Sequence, residues 1–231
     1  MNLLKKISLG AGLILGSLFA AAQEEYEVGL NVGTLIYQGD LTPTKIGSLK
    51  TPGLSFGIMG LKYISPSVAI RLDFTIGTIS GDDKEYTNPA WRKQRGLAFS
   101  TSIKELSASV MYKPLPDALL SPYIFGGVGM AFTDIHPYTE SFNKNYFLIN
   151  EPITVSRLAE DMQQTLPKSI VVFPVGFGAR YQLNENFSMH AEFSYRIMST
   201  DYLDGFSKIA ETNKNDHYYK ACLGFIYTIN E

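Results

Sequence analysis

Residues 187–207, FSMHAEFSYRIMSTDYLDGFS, decide how the rest of the chain is read. The stretch opens as a strict two-residue alternation. Phe187, Met189, Ala191, Phe193, Tyr195 and Ile197 fall on one face; Ser188, His190, Glu192, Ser194 and Arg196 fall on the other. Successive side chains of a strand point to opposite faces, so one face here is apolar along its whole length. The opposite face carries a carboxylate and a guanidinium four residues apart, two same-face steps along a strand. A soluble sandwich buries such an apolar face and wets the polar one. A membrane barrel does the reverse, with lipid outside and a polar lumen inside.

The same alternation recurs at residues 26–36, 54–64, 68–78, 104–112, 123–133, 170–181 and 218–229. It is cleanest at 68–78, where Val68, Ile70, Leu72, Phe74 and Ile76 oppose Ala69, Arg71, Asp73, Thr75 and Gly77. Residues 54–64 are apolar on both faces, which leaves their orientation open. Pro174 lacks an N–H and predicts a bulge in the sixth strand. With 187–197 this makes eight strands, each of roughly the ten residues that a tilted strand needs to cross a bilayer. The connections after strands two, four and six are short (65–67, 113–122, 182–186); those after strands one, three, five and seven are long (37–53, 79–103, 134–169, 198–217). An even strand number with short turns at one end and long loops at the other is the outer-membrane pattern. The expected fold is all-β: an eight-stranded antiparallel transmembrane β-barrel of outer-membrane type with long outer loops, one domain over residues 23–231.

Residues 1–22 have the form of a cleavable signal peptide. Lys5 and Lys6 are basic, residues 7–19 are apolar or small, and Ala20-Ala21-Ala22 supplies the cleavage site. No cysteine lies near that site, so lipoprotein processing is not expected, and the chain reads as an exported bacterial envelope protein. No other segment approaches the ~18 apolar residues of a membrane helix. The formal charge of −2 gives no nucleic-acid footprint. Cys222 is the only cysteine and reads as a small residue facing the lumen.

Four acidic residues, Glu27, Asp73, Glu105 and Glu192, and four basic ones, Arg71, Arg180, Arg196 and Lys220, fall on the polar faces. Eight strands enclose only enough room for side chains to fill, so these charges are expected to pair in a sealed interior, not to line a pore. Ser188, His190 and Glu192 share a face and raise the possibility of a lipid-modifying enzyme. Neighbours on one face stand ~7 Å apart, however, too far for a nucleophile–base hydrogen bond. No catalysis is expected, nor a cofactor or small-molecule substrate. His136, His190 and His217 are dispersed and lack metal-ligand spacing, and His217 reads as a solvated loop residue. Gly126-Gly127-Val128-Gly129 lies within a strand with no helix following, unlike a phosphate loop. In the 134–169 loop, residues 154–165 predict a short helix with Ser156 as N-cap. Trp91 with Arg92, Lys93 and Arg95 reads either as a solvated basic loop or as a contact for anionic lipid headgroups.

Several of these motifs together resemble one family. GLNVGTLIYQGDL (29–41) resembles an N-terminal strand followed by an aromatic-x-Gly-Asp-Leu turn. FSTSIKE (99–105) is similar to a Ser-rich lead-in to a fourth strand, FPVGFGARY (173–181) to a Pro-x-Gly-x-Gly strand, and EFSYRIMSTDYLDGFS (192–207) to the most specific block. The family is the PorG-like group of Bacteroidetes outer-membrane barrels, and the resemblance spans nearly all of the chain after residue 22. It marks Gly39, Asp40, Asp201, Tyr202, Leu203 and Asp204 as motif residues. It implies an accessory role in the type IX secretion system, associated with a periplasmic ring of a lipoprotein and a ring subunit. The strand order places the Asp201–Asp204 block at the outer end, where Asp201, Tyr202 and Asp204 are expected either to cap the lumen mouth or to form an ordinary turn. A ring contact would use short turns such as residues 114–121. The alternative role is a stand-alone barrel for envelope integrity or adhesion through its outer loops.

Overall fold

A computed structural model describes residues 26–42, 47–209 and 215–229; the expected signal peptide lies outside the described residues. Eight strands form: β1 (Tyr26–Gln38), β2 (Gly53–Ser65), β3 (Val68–Asp82), β4 (Ala98–Tyr112), β5 (Leu120–Tyr138), β6 (Ser169–Gln182), β7 (Phe187–Met198) and β8 (His217–Ile229). Each pairs antiparallel with the next, and β8 pairs back onto β1, so the sheet closes into a barrel. The short turns gather at one end and the long loops at the other, as the sequence predicts.

The alternation sorts the side chains as a membrane barrel requires. Val28, Leu30 and Val32, Ile70, Leu72 and Phe74, and Leu223 and Phe225 are all exposed on the outside, while Glu27, Arg71, Asp73, Glu192 and Lys220 are buried inside. In β2, Leu54, Phe56 and Ile58 point out and Met59, Leu61 and Tyr63 point in. Tyr219 and Tyr227 mark two aromatic levels of the wall, packed at a tilt against Tyr195 at 4.8 Å and Phe187 at 5.0 Å. They are eight residues apart on β8, which is ~27 Å of strand and ~20 Å of height at the tilt of a barrel strand.

In its strands and helices the structure departs from the sequence reading in four respects. First, β3, β4 and β5 run to 15, 15 and 19 residues. The Ser-rich lead-in is itself strand, because Phe99, Thr101 and Ile103 continue the buried row of β4. Second, Pro174 makes no bulge: the β5–β6 register is the same on both sides of it, and only the pairs opposite are missing. The register shift in the β2–β3 ladder falls at Tyr63/Ser65 instead. Third, Ser156 is not an N-cap. The helix there, Pro152–Asp161, starts on a proline, whose missing N–H and fixed φ suit a first turn, and the Ser156 hydroxyl donates back to the Ile153 carbonyl at 2.9 Å. Fourth, two more helices occur, Trp91–Arg95 and Lys144–Asn150, the latter capped by Asn143. In chain order the helices are α1 (Trp91–Arg95), α2 (Lys144–Asn150) and α3 (Pro152–Asp161).

Because β6 begins at Ser169, opposite Phe132, the last residues of β5 stand beyond their neighbour. The Thr133 amide, which points to that side, donates to the Lys168 carbonyl at 3.0 Å. Alternation aims Ile135 and Pro137 to the same open edge, and Pro137 has no N–H to offer there.

Side chains fill the interior in tiers. At the long-loop end Leu35, Tyr37, Leu97, Phe99, Leu203 and Phe206 belong to one apolar core shared by strands and loops. A charged belt lies beneath it. Below that come Met59, Leu61, Tyr63, Met111, Tyr123, Phe125 and Ile226. The glycines of β6 make room for two of these rings: a Cβ on Gly176 would sit 2.7 Å from the Phe125 ring, and one on Gly178 would sit 2.4 Å from that of Tyr123.

Candidate functional site

The charged belt is built by strands that lie far apart in sequence. Arg71 grips Asp73 with Nε and Nη2, both at 2.7 Å, and reaches across the lumen to Glu192, Nη1 to Oε2 at 2.5 Å. The Arg71 guanidinium lies over the Phe125 ring at 4.3 Å, a favourable cation–π contact in a dry site. The Tyr123 hydroxyl donates to Glu192 at 3.1 Å and lies 3.2 Å from His190 Nδ1. A step nearer the loops, Glu105 meets Arg196 at 3.4 Å and accepts from the hydroxyls of Tyr218 and Ser107. Lys220 donates to Thr75 Oγ1 at 2.9 Å and has no carboxylate partner among the described residues. At the short-turn end Glu27 meets Arg180 at 2.5 Å and accepts from Tyr63 and Thr228. Seven of the eight charges therefore form three separate clusters at different heights, and Lys220 stands apart from them. Burying a charge unpaired costs several kcal/mol, so each cluster holds its strands in register.

Sequence reasoning did not identify the aromatic partners. Tyr63, Tyr123 and Tyr218 lie on inward rows, but alternation alone says nothing of which charge a phenol reaches. Ser188, His190 and Glu192 do share the lumen face, yet Ser188 Oγ and His190 Nε2 have no hydrogen-bond partner. No nucleophile–base pair is assembled. Gly126–Gly129 lie within β5. Cys222 is buried on the lumen side. No group of three or more metal-ligating side chains occurs among the described residues. His217 is not a solvated loop residue: it opens β8, meets the Tyr195 ring edge-to-face at 5.2 Å and accepts from the Met198 amide at 3.2 Å.

The motif residues meet at the loop end. The Tyr37 hydroxyl contacts Asp204 Oδ2 at 2.6 Å and Asp216 Oδ1 at 2.8 Å. Gly39 lies directly beneath, where a Cβ would sit 1.9 Å from Asp216 Oδ1 and 2.1 Å from the Tyr37 hydroxyl. Leu203 is fully buried; its carbonyl accepts from Thr101 at 2.8 Å and its amide donates to Asp216 at 3.0 Å. Asp201 accepts from the Ser207 hydroxyl at 2.7 Å, and burial raises its pKa above the ordinary aspartate value. Tyr202 is only half-buried. The block thus folds back over the mouth. Asp161, at the end of α3, fixes the next turn by accepting from the amides of Ser207, Lys208 and Ile209. Asp216 and Asp161 carry no motif and are recognised only in three dimensions.

A second cluster pins the 83–97 loop. Buried Asp83 accepts from Arg92 Nη1 at 3.0 Å and from Arg95 Nε at 2.6 Å, and both arginines also donate to the Asp40 carbonyl. Trp91 stacks on both guanidiniums, at 5.4 and 4.9 Å. Arg92 and Arg95 are therefore internal struts, neither solvated nor turned toward lipid headgroups; Lys93 is the exposed charge of this run.

The profile of a domain of unknown function, DUF6089, matches residues 6–230. The chain belongs to the DUF6089 family. No curated protein matches it. Among solved structures this DUF6089 chain is similar to Neisserial surface protein A, with 13% identity, 87% of this chain and 96% of that one covered, and a TM-score of 0.54. It is also similar to the attachment invasion locus protein Ail of Yersinia pestis (10% identity, 90% and 100% covered, TM-score 0.49) and to OprG of Pseudomonas aeruginosa (11%, 90% and 97%, 0.45). At such identities the likeness is one of fold, that of the eight-stranded outer-membrane barrel.

Proposed function

We propose that this DUF6089 chain is a non-catalytic outer-membrane barrel that works as a scaffold, through its surfaces and not through a pore. The observation that carries this is the filled lumen. Apolar side chains fill the long-loop end, the Arg71–Glu192 bridge crosses the middle, and an apolar layer with the Glu27–Arg180 pair fills the short-turn end. The exposed apolar wall fits outer-membrane lipid as its surroundings, with residues 1–22 as the export signal. Recordings in planar bilayers test it: no steady conductance is expected, and a large steady current overturns it.

We infer further that the scaffold is a structural or accessory component of the type IX secretion system. The support is the EFSYRIMSTDYLDGFS block and its resemblance to PorG-like barrels. The short turns, including residues 114–121, would then face the periplasmic ring of lipoprotein and ring subunit. A second reading, envelope integrity or adhesion, is favoured by the outer loops, where Leu148, Ile149 and Ile153 are exposed on α2 and α3. Pull-down of the native protein, with a deletion strain scored for secreted cargo, separates the two. Ring proteins in the eluate and lost secretion support the first; their absence with normal secretion supports the second.

A further inference from the structure

Tyr37, Asp204 and Asp216 are each 1% exposed or less and meet through a single phenol oxygen. A phenol has one proton. It can donate to one carboxylate, but the second oxygen, at 2.6 or 2.8 Å, then approaches it without a hydrogen unless that carboxyl brings its own. The remaining oxygens are already committed, since Asp204 Oδ1 accepts from the Phe206 amide at 2.8 Å and Asp216 Oδ2 from that of Leu203 at 3.0 Å. The arrangement is satisfied when one of the two aspartates is a neutral acid.

We propose that Asp204, Tyr37 and Asp216 form a proton-operated latch that holds residues 199–209 closed over the barrel mouth and releases them when the shared proton is lost. The latch joins Tyr37 near the end of β1 to Asp204 within the loop and to Asp216 just before β8, so it sits where loop and barrel separate. Its surroundings favour the neutral acid. Asp40 faces it from the end of β1 and Asp201 from the loop; Arg95 of α1 is the cation that acts on Asp204, and it is itself bonded to Asp83. Burial is the main cause that raises both carboxyls above the ordinary aspartate value, and Asp204 is the next cause for Asp216.

The sign of the effect follows. The closed state binds more protons than the open one, so closure is fully favoured below the ordinary aspartate value, weakens as pH rises toward the raised closed-state value and levels off above it. One extra proton makes the opening constant grow by up to about tenfold per pH unit within that window.

Hydrogen–deuterium exchange of the full chain in lipid nanodiscs, from pH 4.5 to 8.5, tests this once intrinsic exchange rates are divided out. The opening constant of amides in residues 199–209 is expected to climb with pH and then flatten, while amides of β3 and β4 at the short-turn end stay unchanged. Asp204→Asn keeps the acceptor for Phe206 and donates to the phenol from its amide, so it mimics the neutral acid and is expected to abolish the climb. Asp216→Asn makes the same comparison should the first variant fail to assemble, and the wild-type titration decides if neither does. A pH-independent opening constant in the wild type, or a wild-type slope in an assembled Asn variant, overturns the latch.

Discussion

Arg71 on β3 and Glu192 on β7, 121 residues apart in the chain, meet inside the barrel with 2.5 Å between Nη1 and Oε2. Both side chains are almost wholly buried. Removing Arg71 strands two carboxylates, Asp73 and Glu192, in a dry lumen. Arg71→Met is expected to lower stability by about 3–5 kcal/mol, the range for breaking a buried pair from one side. Glu192→Gln is expected to cost less, because Arg71 keeps its two-pronged grip on Asp73. Urea unfolding in lipid vesicles measures both, and equal costs would show that the crossing bridge is not the weak point.

Leu72 lies one residue from Arg71 and Asp73 but on the outer wall, 57% exposed. An arginine on a lipid-facing row costs about 2–4 kcal/mol near the bilayer midplane. Leu72→Arg is therefore expected to destabilise the assembled barrel by that amount, and Leu72→Ala by less. A Leu72→Arg variant as stable in vesicles as Leu72→Ala would place this wall in water.

At Gly39 any side chain collides with the groups that close the mouth. Gly39→Ala is expected to cost about 1–3 kcal/mol, as other forced insertions do, and to act locally. Limited proteolysis should cut faster within residues 199–216 while the strands stay protected. Uniform loss of strand protection would contradict a loop-confined role.

Asp83 is the counterion of two buried arginines, and Asp83→Asn removes that charge. Release of the 83–97 loop is expected, at a cost of about 3–5 kcal/mol, and emission from Trp91, the sole tryptophan, should shift as its cation partners leave. Glu85→Gln, exposed on the same turn, should leave the spectrum unchanged.

The barrel was legible because each crossing of the bilayer writes its own local pattern. The row Val68, Ile70, Leu72, Phe74 needs no knowledge of its neighbours to be assigned outward. Even the ambiguous β2 resolves once its partners β1 and β3 are oriented. The partners of the lumen charges were not legible, because alternation sets a direction and not a height. Only closure and register reveal that Arg71 reaches Glu192 while Lys220 stops at Thr75. The closed mouth was the least legible part. Tyr37, Asp204 and Asp216 come together from three separated positions, and nothing periodic links them. The surplus lengths of β3 to β5 were hidden for a related reason, since Ser100 and Ser102 look like loop where the buried Phe99, Thr101 and Ile103 alternate between them.

The proline at the exposed margin of β5 has a consequence for crowded membranes. Barrels packed side by side bring their protruding ledges within reach of one another, and a free strand margin there would invite neighbours to zip together into a continuous ribbon. With no amide to offer at residue 137, such a ribbon would lack one rung on this side of β5.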